Sequence, residues 1–490
     1  MANAANTANA VPDRFQEQFD QIQDAMGDEI VLAAGFEGPE RMFLYEKGYV
    51  LARADDADEV ASVVRDAFVR DRGGDQADNV RVERDDSPGG VLRIRVGEPD
   101  RSERSSDRDV SDALRAVEGL ERDNSRRMVS RNHIVSIAVN CCPGDEPVPV
   151  PRDRPPNPAV AEFSGRGEVP VSVLVVDTGL VENYRSHPWM HRVEGVGKEV
   201  ELDREGVLKQ YVGHGTFIAG LVSAVAPGTD VTVHGTLVNA GAISEKVLGD
   251  RLLGGMLPQG RWPDIINLSA GTPSTCSETL LGLERFMDAL MDHPETLLVA
   301  AAGNNGNDVR FWPAAYADHP GYAGAVVSVG ALRKDGADRA CFSNHGPWVT
   351  AYAPGERLVS AFTAVDSTPV VYDYQHSTFP RCRYGHRYDC TCQFPAHRGE
   401  LSESTKASPA AAPERVVFDG LAEWSGTSFS TPLVAGMIAD YMTRKGTGSR
   451  EAARRLLDET PAGILQSVPV PALIPATWTP ASVRSVPATR

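Results

Sequence analysis

The chain has 490 residues, of which 41% are hydrophobic and 24% charged, a composition that fits two or three globular domains. Its formal net charge of −18 repels phosphate backbones and anionic lipids, which argues against nucleic acid and membrane surfaces as partners. No sequence stretch approaches the ~18 consecutive apolar residues of a membrane-spanning helix.

The first residues, MANAANTANAVPDRFQEQFDQ, have neither a basic start nor an apolar core. No secretory signal is therefore predicted, and the cytoplasm is the expected location. The seven cysteines are an odd number, and Cys141 and Cys142 are adjacent, which favours reduced thiols over a disulfide framework. Residues 1–40 are interpreted as a polar lead with some helical character.

Residues 41–142 alternate between strand and helix patterns. RMFLYEKGYVLARA predicts a strand, DADEVASVVRDAFV a helix, and VRVERD and VLRIRVG two strands around the turn DDSPGG. DVSDALRAVEGLERD is amphipathic, with Val110, Leu114, Val117 and Leu120 on one face, and HIVSIAVN closes as a strand. The order β-α-β-β-α-β is typical of a small ferredoxin-like α+β domain.

Residues 143–170 are rich in proline, which predicts a linker. From 171 to 462, apolar runs alternate with helical patterns, and this predicts an α/β domain with a doubly wound parallel sheet. An insert at about 363–413 interrupts this domain. The proline-rich tail, 463–490, is interpreted as a surface strap or a disordered segment.

Three polar residues stand where predicted strands end or predicted helices begin. Asp177 ends the apolar run VSVLVVD, and His214 opens the helical pattern of GHGTFIAG. Ser428 begins a helix after the turn at Gly426, where unpaired backbone N–H groups favour negative charge beside the serine oxygen. Taken singly, each of these motifs also fits an ordinary turn, cap or core residue.

Five motifs together resemble the subtilisin-like serine proteases, the subtilase family. They are VDTG at Asp177, GHGTFIAG at His214, NLSAGT from Asn267, AAGNNG around Asn304 and GTSFSTP around Ser428. The resemblance covers roughly 171 to 445 and implies peptide-bond hydrolysis by an Asp177, His214 and Ser428 triad through an acyl-enzyme. It also implies that the Asn304 amide and the Ser428 backbone N–H hold the oxyanion.

The resemblance further assigns the walls of the S1 pocket, which receives P1, the residue before the scissile bond. The two walls are Ser269, Ala270 and Gly271 on one side and Ala301, Ala302 and Gly303 on the other. Phe311 takes the position at the base of this pocket, where a ring would favour small or medium P1 side chains. The alternative is that the Phe311 ring is turned into the core.

The order aspartate, histidine, serine differs from that of the α/β-hydrolases and of the chymotrypsin fold. Phe429 and Ser430 depart from the usual subtilase motif toward that of the sedolisin peptidases. Sedolisins, however, resemble this fold with a glutamate and an oxyanion aspartate, where this chain has His214 and Asn304. A sedolisin-like peptidase and a catalytically silent protease fold that serves as a binding scaffold are kept as alternatives.

The insert contains Cys382, Cys390 and Cys392, called the insert cysteines below. Their spacing is not a standard zinc pattern, so a zinc site and a loop with incidental or paired thiols both stay open. No other cofactor is expected, although the family resemblance makes calcium a candidate ion. A polypeptide substrate is the expected partner, and the N-terminal domain is a candidate site for a regulatory protein.

The N-terminal domain resembles the propeptide of subtilases, which inhibits the protease by laying its C-terminal tail in the substrate cleft. Its last strand ends near Asn140, at a distance from Asp177 that is similar to the family's interval. The resemblance implies that residues 41–142 restrain activity in cis, with self-cleavage between Asn140 and Gly167. A docking domain that never touches the cleft is the alternative.

Overall fold

A computed structural model describes most of the chain. The described residues are 13–28, 30–37, 41–72, 78–98, 107–137, 146–163, 170–237, 240–256, 262–365, 368–373, 415–465 and 468–483. The helices are α1 (Asp13–Met26), α2 (Ala57–Arg72), α3 (Arg108–Asn124), α4 (His214–Val225), α5 (Glu245–Arg251), α6 (Glu284–Asp292), α7 (Thr427–Lys445) and α8 (Ser449–Glu459). The strands are β1 (Leu32–Phe36), β2 (Met42–Arg53), β3 (Arg81–Glu83), β4 (Val91–Arg95), β5 (Val129–Ser136), β6 (Val148–Pro149), β7 (Ser172–Asp177), β8 (Leu180–Val181), β9 (Val193–Gly195), β10 (Gly197–Lys198), β11 (Asp230–Gly235), β12 (Ala242–Ser244), β13 (Ile265–Leu268), β14 (Leu297–Ala301), β15 (Val326–Leu332), β16 (Ala351–Pro354), β17 (Leu358–Ala361), β18 (Val370–Asp373), β19 (Arg415–Phe418), β20 (Leu421–Trp424), β21 (Ala462–Leu465) and β22 (Val468–Pro471).

A seven-stranded sheet in the order β16-β15-β14-β13-β7-β11-β9 forms the centre of the C-terminal domain. Neighbouring strands are parallel throughout. Strands β13 and β14 are buried along their whole length, which explains their continuous apolar sequence. The predicted doubly wound α/β fold is confirmed. The strand order reverses beside β7, so the carboxyl ends of β7, β13 and β14 meet at a crevice suited to ligand binding.

Helices α4 and α7 carry the chain away from this crevice. Every residue of α4 is buried, so its pattern is apolar all round rather than amphipathic. Helix α7 contains Pro432 and ends at Gly446, which adopts a left-handed conformation with φ 65°. The two helices pack against each other, with Val225 of α4 against Gly436 of α7. Both begin at the crevice, and this places their first residues beside the strand ends.

The N-terminal domain has the predicted β-α-β-β-α-β order from β2 to β5. Its sheet runs β5-β2-β4-β3, and β1 pairs antiparallel with the first five residues of β2. Helices α2 and α3 cover one face of the sheet, with Val64, Val110 and Val117 fully buried. Helix α1 lies within the predicted polar lead, whereas strand β1 was not predicted.

The sheet of the N-terminal domain continues into the C-terminal domain. Strand β12 pairs antiparallel with β5, and Ser136 lies opposite Ala242. The two domains also meet through polar and apolar contacts: Nε and Nη2 of Arg53 each donate to the Glu284 carboxylate at 2.7 Å, the Nδ1 of His133 lies 2.7 Å from buried Glu245, and Leu281 packs against the N-terminal domain. The N-terminal domain is therefore seated on helices α5 and α6.

The described part of the predicted linker, 146–163, lies along the C-terminal domain. Strand β6 pairs with β20, and Asn157 exchanges two backbone hydrogen bonds with Val359. In the tail, β21 and β22 form a hairpin, and the Leu473 N–H donates to Tyr352. Within the ranges described above, no helix is both long and apolar enough to cross a membrane.

Strands β18 and β19 pair antiparallel at the base of the insert. Residues 374–414, and with them the insert cysteines, lie outside the described residues.

Candidate active site

Asp177 and His214 form a buried hydrogen-bonded pair at the crevice. Asp177 ends strand β7, and its Oδ1 accepts hydrogen bonds from the backbone N–H and the hydroxyl of Thr178 at 2.7 and 3.2 Å. The same oxygen lies 2.8 Å from Nδ1 of His214, the first residue of α4. Because a carboxylate can only accept, the proton of the neutral imidazole is on Nδ1. This tautomer leaves Nε2 as a proton acceptor.

Aromatic rings surround the His214 imidazole. The ring centroids of Phe429, Trp424 and Tyr211 lie 5.1, 5.3 and 6.3 Å from that of His214. The side chain is 1% exposed, and within the described part of the chain its Nε2 has no hydrogen-bond partner. An apolar enclosure of this kind excludes water and fixes the imidazole plane, so Nε2 is held in place for an incoming donor.

Ser428 is the second residue of α7 and is tied to the end of β13. Its hydroxyl donates to the Ser269 carbonyl at 3.2 Å, and its own carbonyl accepts from the Ser269 hydroxyl at 2.8 Å. The Ser428 hydroxyl therefore binds Ser269 rather than His214 in this structure. Catalytic hydrogen bonds are often formed only when substrate is bound.

The Asn304 amide is oriented by the first residue of the same helix. Its Oδ1 accepts from both the backbone N–H and the hydroxyl of Thr427 at 2.8 Å. Since a backbone N–H can only donate, the oxygen must face Thr427, and this fixes which way the amide points. The Thr427 hydroxyl oxygen also accepts from the Gly303 N–H at 3.1 Å. Thr427, which sequence reasoning did not assign, thus links a predicted pocket wall to the predicted oxyanion residue.

The two predicted pocket walls converge on Phe311. A Cβ added at Gly271 would collide with the Phe311 ring, and one added at Gly303 would lie 2.9 Å from Phe311 Cγ. The Phe311 side chain is 3% exposed and belongs to the main hydrophobic core. The ring therefore lies between the two walls, and the walls themselves present backbone to the crevice. Four of the predicted wall residues have fully buried side chains, namely Ser269, Ala270, Ala301 and Ala302.

The end of the N-terminal domain lies on one of these walls. Ser136 and Gly271 exchange two backbone hydrogen bonds at 3.0 and 2.9 Å, and the Ile137 N–H donates to the Gly241 carbonyl at 2.9 Å. The Ile137 carbonyl accepts from the Gln18 side chain of helix α1 at 3.2 Å. The chain leaving β5 is thus held between strand β12 and the wall that ends at Gly271.

A cavity of about 550 Å³ opens beside the Asp177 and His214 pair. Its lining includes residues 178–181 and 208–213, together with Gln21, Asp24 and Ala25 of helix α1. Helix α1 thus lines a cavity next to the buried pair.

The family model described as the subtilase family matches residues 169–469, well over half of the chain. The chain belongs to the subtilase family. Curated relatives include a thermostable alkaline protease of Halalkalibacterium halodurans, 33% identical over 200 residues, which are 39% of this chain and 49% of that protein. An intracellular serine protease of Paenibacillus polymyxa is 32% identical over 209 residues, 40% of this chain and 59% of that protein. The chain thus spans about half the length of the curated relatives it matches.

Among solved structures, this subtilase chain is similar to a cold-adapted subtilisin-like serine proteinase, with 20% identity and a TM-score of 0.41 over 68% of this chain and 96% of that one. It is also similar to fervidolysin of Fervidobacterium pennivorans, with 16% identity and a TM-score of 0.49 over 91% of this chain and 62% of that one.

The described residues contain no cluster of three or more His, Cys, Asp or Glu side chains that could hold a metal ion. The insert cysteines lie outside the described ranges, so the zinc site stays a prediction.

Proposed function

We propose that this subtilase is a serine endopeptidase in which Asp177, His214 and Ser428 act as the triad. The observation that carries the proposal is the buried pair of Asp177 and His214, whose tautomer leaves Nε2 as a base. His214 begins helix α4, and Ser428 lies at the start of helix α7, which packs against α4. A serine hydroxyl is a weak nucleophile at neutral pH, so a base in this position is what its activation needs.

The reaction then follows from the atoms in place. The Ser428 hydroxyl turns from Ser269 to His214, gives its proton to Nε2 and attacks the substrate carbonyl carbon. The tetrahedral oxyanion accepts hydrogen bonds from the Asn304 amide and the Ser428 backbone N–H, at the positive end of helix α7. The imidazolium, stabilised by Asp177, protonates the leaving amine as the C–N bond breaks. Water then attacks the acyl-enzyme by the same route and releases Ser428.

Covalent labelling separates this proposal from the catalytically silent scaffold. A fluorophosphonate probe should react with Ser428 in the full-length protein, and the Ser428→Ala variant should show no labelling. The His214→Ala variant is the matched control, because it keeps the serine and removes the base. A wild-type chain that neither reacts with the probe nor cleaves a peptide library would favour the scaffold.

A sedolisin-like mechanism needs an acid–base carboxylate beside the serine. The base that the crevice offers is instead the imidazole of His214, paired with Asp177. The two mechanisms differ in their pH dependence, since a carboxylate acid–base favours acidic conditions. Activity that is confined to acidic pH would favour the sedolisin alternative.

We further infer that the N-terminal domain restrains the activity in cis. Support comes from Ser136, which occupies the backbone groups of Gly271 on a predicted pocket wall, and from helix α1, which lines the cavity beside the Asp177 and His214 pair. A peptide substrate needs those same backbone groups for extended pairing. The alternative docking role, in which the domain binds a regulatory protein, predicts no change in activity when the domain is released.

A time course on the full-length protein tests the restraint. Intact-mass spectrometry should detect cleavage after strand β5 in the wild type and not in Ser428→Ala, and probe labelling should accelerate as the fragment appears. Rapid labelling of the uncut chain, at the rate reached after cleavage, would favour the docking role.

We keep the cytoplasm as the proposed location. A relative named as an intracellular serine protease supports it, and a relative from Dichelobacter nodosus named as an extracellular basic protease opposes it. Fractionation of the native host, with activity or antibody as the readout, decides between them. Calcium likewise stays a candidate ion, which is tested by the change in melting temperature on adding a chelator.

A further inference from the structure

The last residues of β5 point their side chains alternately into and away from the C-terminal domain. Val135 and Ile137 are 0% and 3% exposed and belong to the core of the C-terminal domain. Ile134 belongs instead to the cluster formed with helix α1, and Ser136 is half-buried. Alternate side chains of an extended strand face opposite sides, so two of the four positions are enclosed by the protease domain itself.

The hydrogen-bond register relates these positions to the reacting serine. Ser136 pairs antiparallel with Gly271, and Ser269, two residues earlier, receives the Ser428 hydroxyl at 3.2 Å. In an antiparallel pair, moving two residues forward along one strand corresponds to moving two residues back along the other. If one residue of a peptide lies opposite Gly271, the second residue after it therefore lies opposite Ser269. A peptide bound in the same register therefore presents its P1 residue there. The position of Ile137 is then P2, and that of Val135 is P4.

Tyr211 and Gly241 enclose the Ile137 side chain. A Cβ added at Gly241 would lie 2.7 Å from Ile137 Cδ1 and 3.1 Å from Tyr211 Cδ2, so all three groups meet at one point. Tyr211 is 4% exposed, and its ring stands edge-on to that of His214. The backbone φ of Tyr211 is +63°, a left-handed conformation that is uncommon for a residue with a bulky side chain. Such outliers concentrate at functional sites, where the surroundings hold them in place.

We propose that Tyr211 and Gly241 form the P2 subsite and that this subsite selects a branched aliphatic side chain. The proposal rests on the endopeptidase function argued above. Val135 marks an apolar P4 subsite, and the Phe311 ring between the S1 walls favours a small P1 residue. The substrate class is therefore an extended chain that is aliphatic at P4, branched aliphatic at P2 and small at P1, with the P3 side chain left outside.

Peptide p-nitroanilides of the form acyl-Val-Ser-Xaa-Ala test this with the full-length protein. With Ile at Xaa, kcat/KM should exceed that with Gly by at least about tenfold, because even one methylene in an apolar pocket discriminates by about 10 to 200-fold. Replacing Ser at P3 by Ala or Glu is the matched substrate control and should change kcat/KM by much less. Equal hydrolysis of the Ile and Gly peptides would overturn the proposal.

Two protein variants address Tyr211 directly. Glycine adopts positive φ readily, so Tyr211→Gly keeps the turn while removing the wall, and it should reduce the preference for Ile and admit Phe at P2. Tyr211→Phe keeps the ring and should keep the preference. A P2 profile in Tyr211→Gly that matches the wild type would overturn the assignment.

The labelling rate of Ser428 in the intact chain tests the same subsite without a peptide substrate, because the segment after strand β5 occupies it. In the uncut full-length chain, Ile137→Gly should raise the rate of fluorophosphonate labelling of Ser428 by about tenfold, because the tail loses its enclosed side chain. Ile137→Val keeps a branched side chain and should change the labelling rate little. Equal rates in the two variants would overturn the P2 subsite while leaving the endopeptidase function intact. A chain that is never labelled would refute that function, and the subsite with it.

Discussion

Replacing Asn304 should separate its two roles in the site. In Asn304→Ala the oxyanion loses its side-chain donor, and the loss of one such donor typically lowers kcat by about 10²- to 10³-fold, or about 2.7 to 4 kcal/mol. The donor acts on the tetrahedral oxyanion rather than on the ground state, so KM should change little.

The same substitution also removes an acceptor from the protein. The Thr427 N–H donates to Asn304 at 2.8 Å in a fully buried position, and its hydroxyl makes a second bond of the same length. A buried donor left unpaired costs about 1 to 3 kcal/mol, so the free energy of unfolding of Asn304→Ala should fall by about that amount.

Asn304→Asp is the matched variant. The carboxylate still accepts from Thr427 and lies at the N-terminus of helix α7, where negative charge is favoured, so the stability should recover. The activity should not recover, because a carboxylate offers no donor to an oxyanion. Steady-state kinetics on a peptide substrate gives kcat and KM, and urea unfolding in a Ser428→Ala background gives stability without self-digestion. A decrease in kcat of less than about tenfold in Asn304→Ala, below the expected range, would refute the oxyanion role.

Further predictions concern the triad, the S1 pocket, the insert and the cleavage site. His214→Ala and Ser428→Ala should each abolish hydrolysis, with the double variant little worse than either, since triad residues act as a unit; appreciable hydrolysis by Ser428→Ala would contradict this. Phe311→Gly should widen P1 preference toward Phe and Leu in a P1-varied peptide series, and an unchanged profile would argue against a pocket shortened by the ring. Elemental analysis of protein purified without added metal decides the zinc hypothesis for the insert cysteines, which a zinc content near zero would end. Intact-mass spectrometry should locate self-cleavage after Ala138, which the register of strand β5 favours over the range predicted from the sequence; a fragment that ends within that range would exclude this register.

The sequence was most informative where chemistry depends on local position. Asp177 at the end of an apolar strand, and His214 and Ser428 at helix starts, lie where their motifs predicted them. Helix α1 also had a visible signal, because Phe15, Phe19, Ile22 and Met26 recur at helical spacing and are buried. Charged residues outnumber these four in the same helix, and its sequence therefore has a polar character overall.

Features that depend on contacts between distant parts of the chain were harder to predict from the sequence. The sequence from Glu278 to Met291 predicts one helix, but α6 begins only at Glu284. The Gly282 N–H is bound by the Glu245 carboxylate at 2.8 Å, and Leu281 packs against the N-terminal domain, so these contacts override the local helical pattern. The left-handed Tyr211 likewise has no sequence signature, since no glycine or asparagine marks the position.

Strand β12 has only three residues, Ala242–Ser244, and its partner in the sheet is β5 of the N-terminal domain. Release of that domain would leave β12 as an exposed edge strand, whose bare N–H and C=O groups pair with any extended chain. Such an edge binds a peptide through backbone hydrogen bonds, which do not depend on the peptide's sequence, and this suits an enzyme that must bind many polypeptides. The same edge can also pair with the exposed edge strand of a second protease molecule that has lost its N-terminal domain. The freed protease should therefore be most prone to aggregation when substrate is scarce, and a short bound peptide should act as its solubiliser.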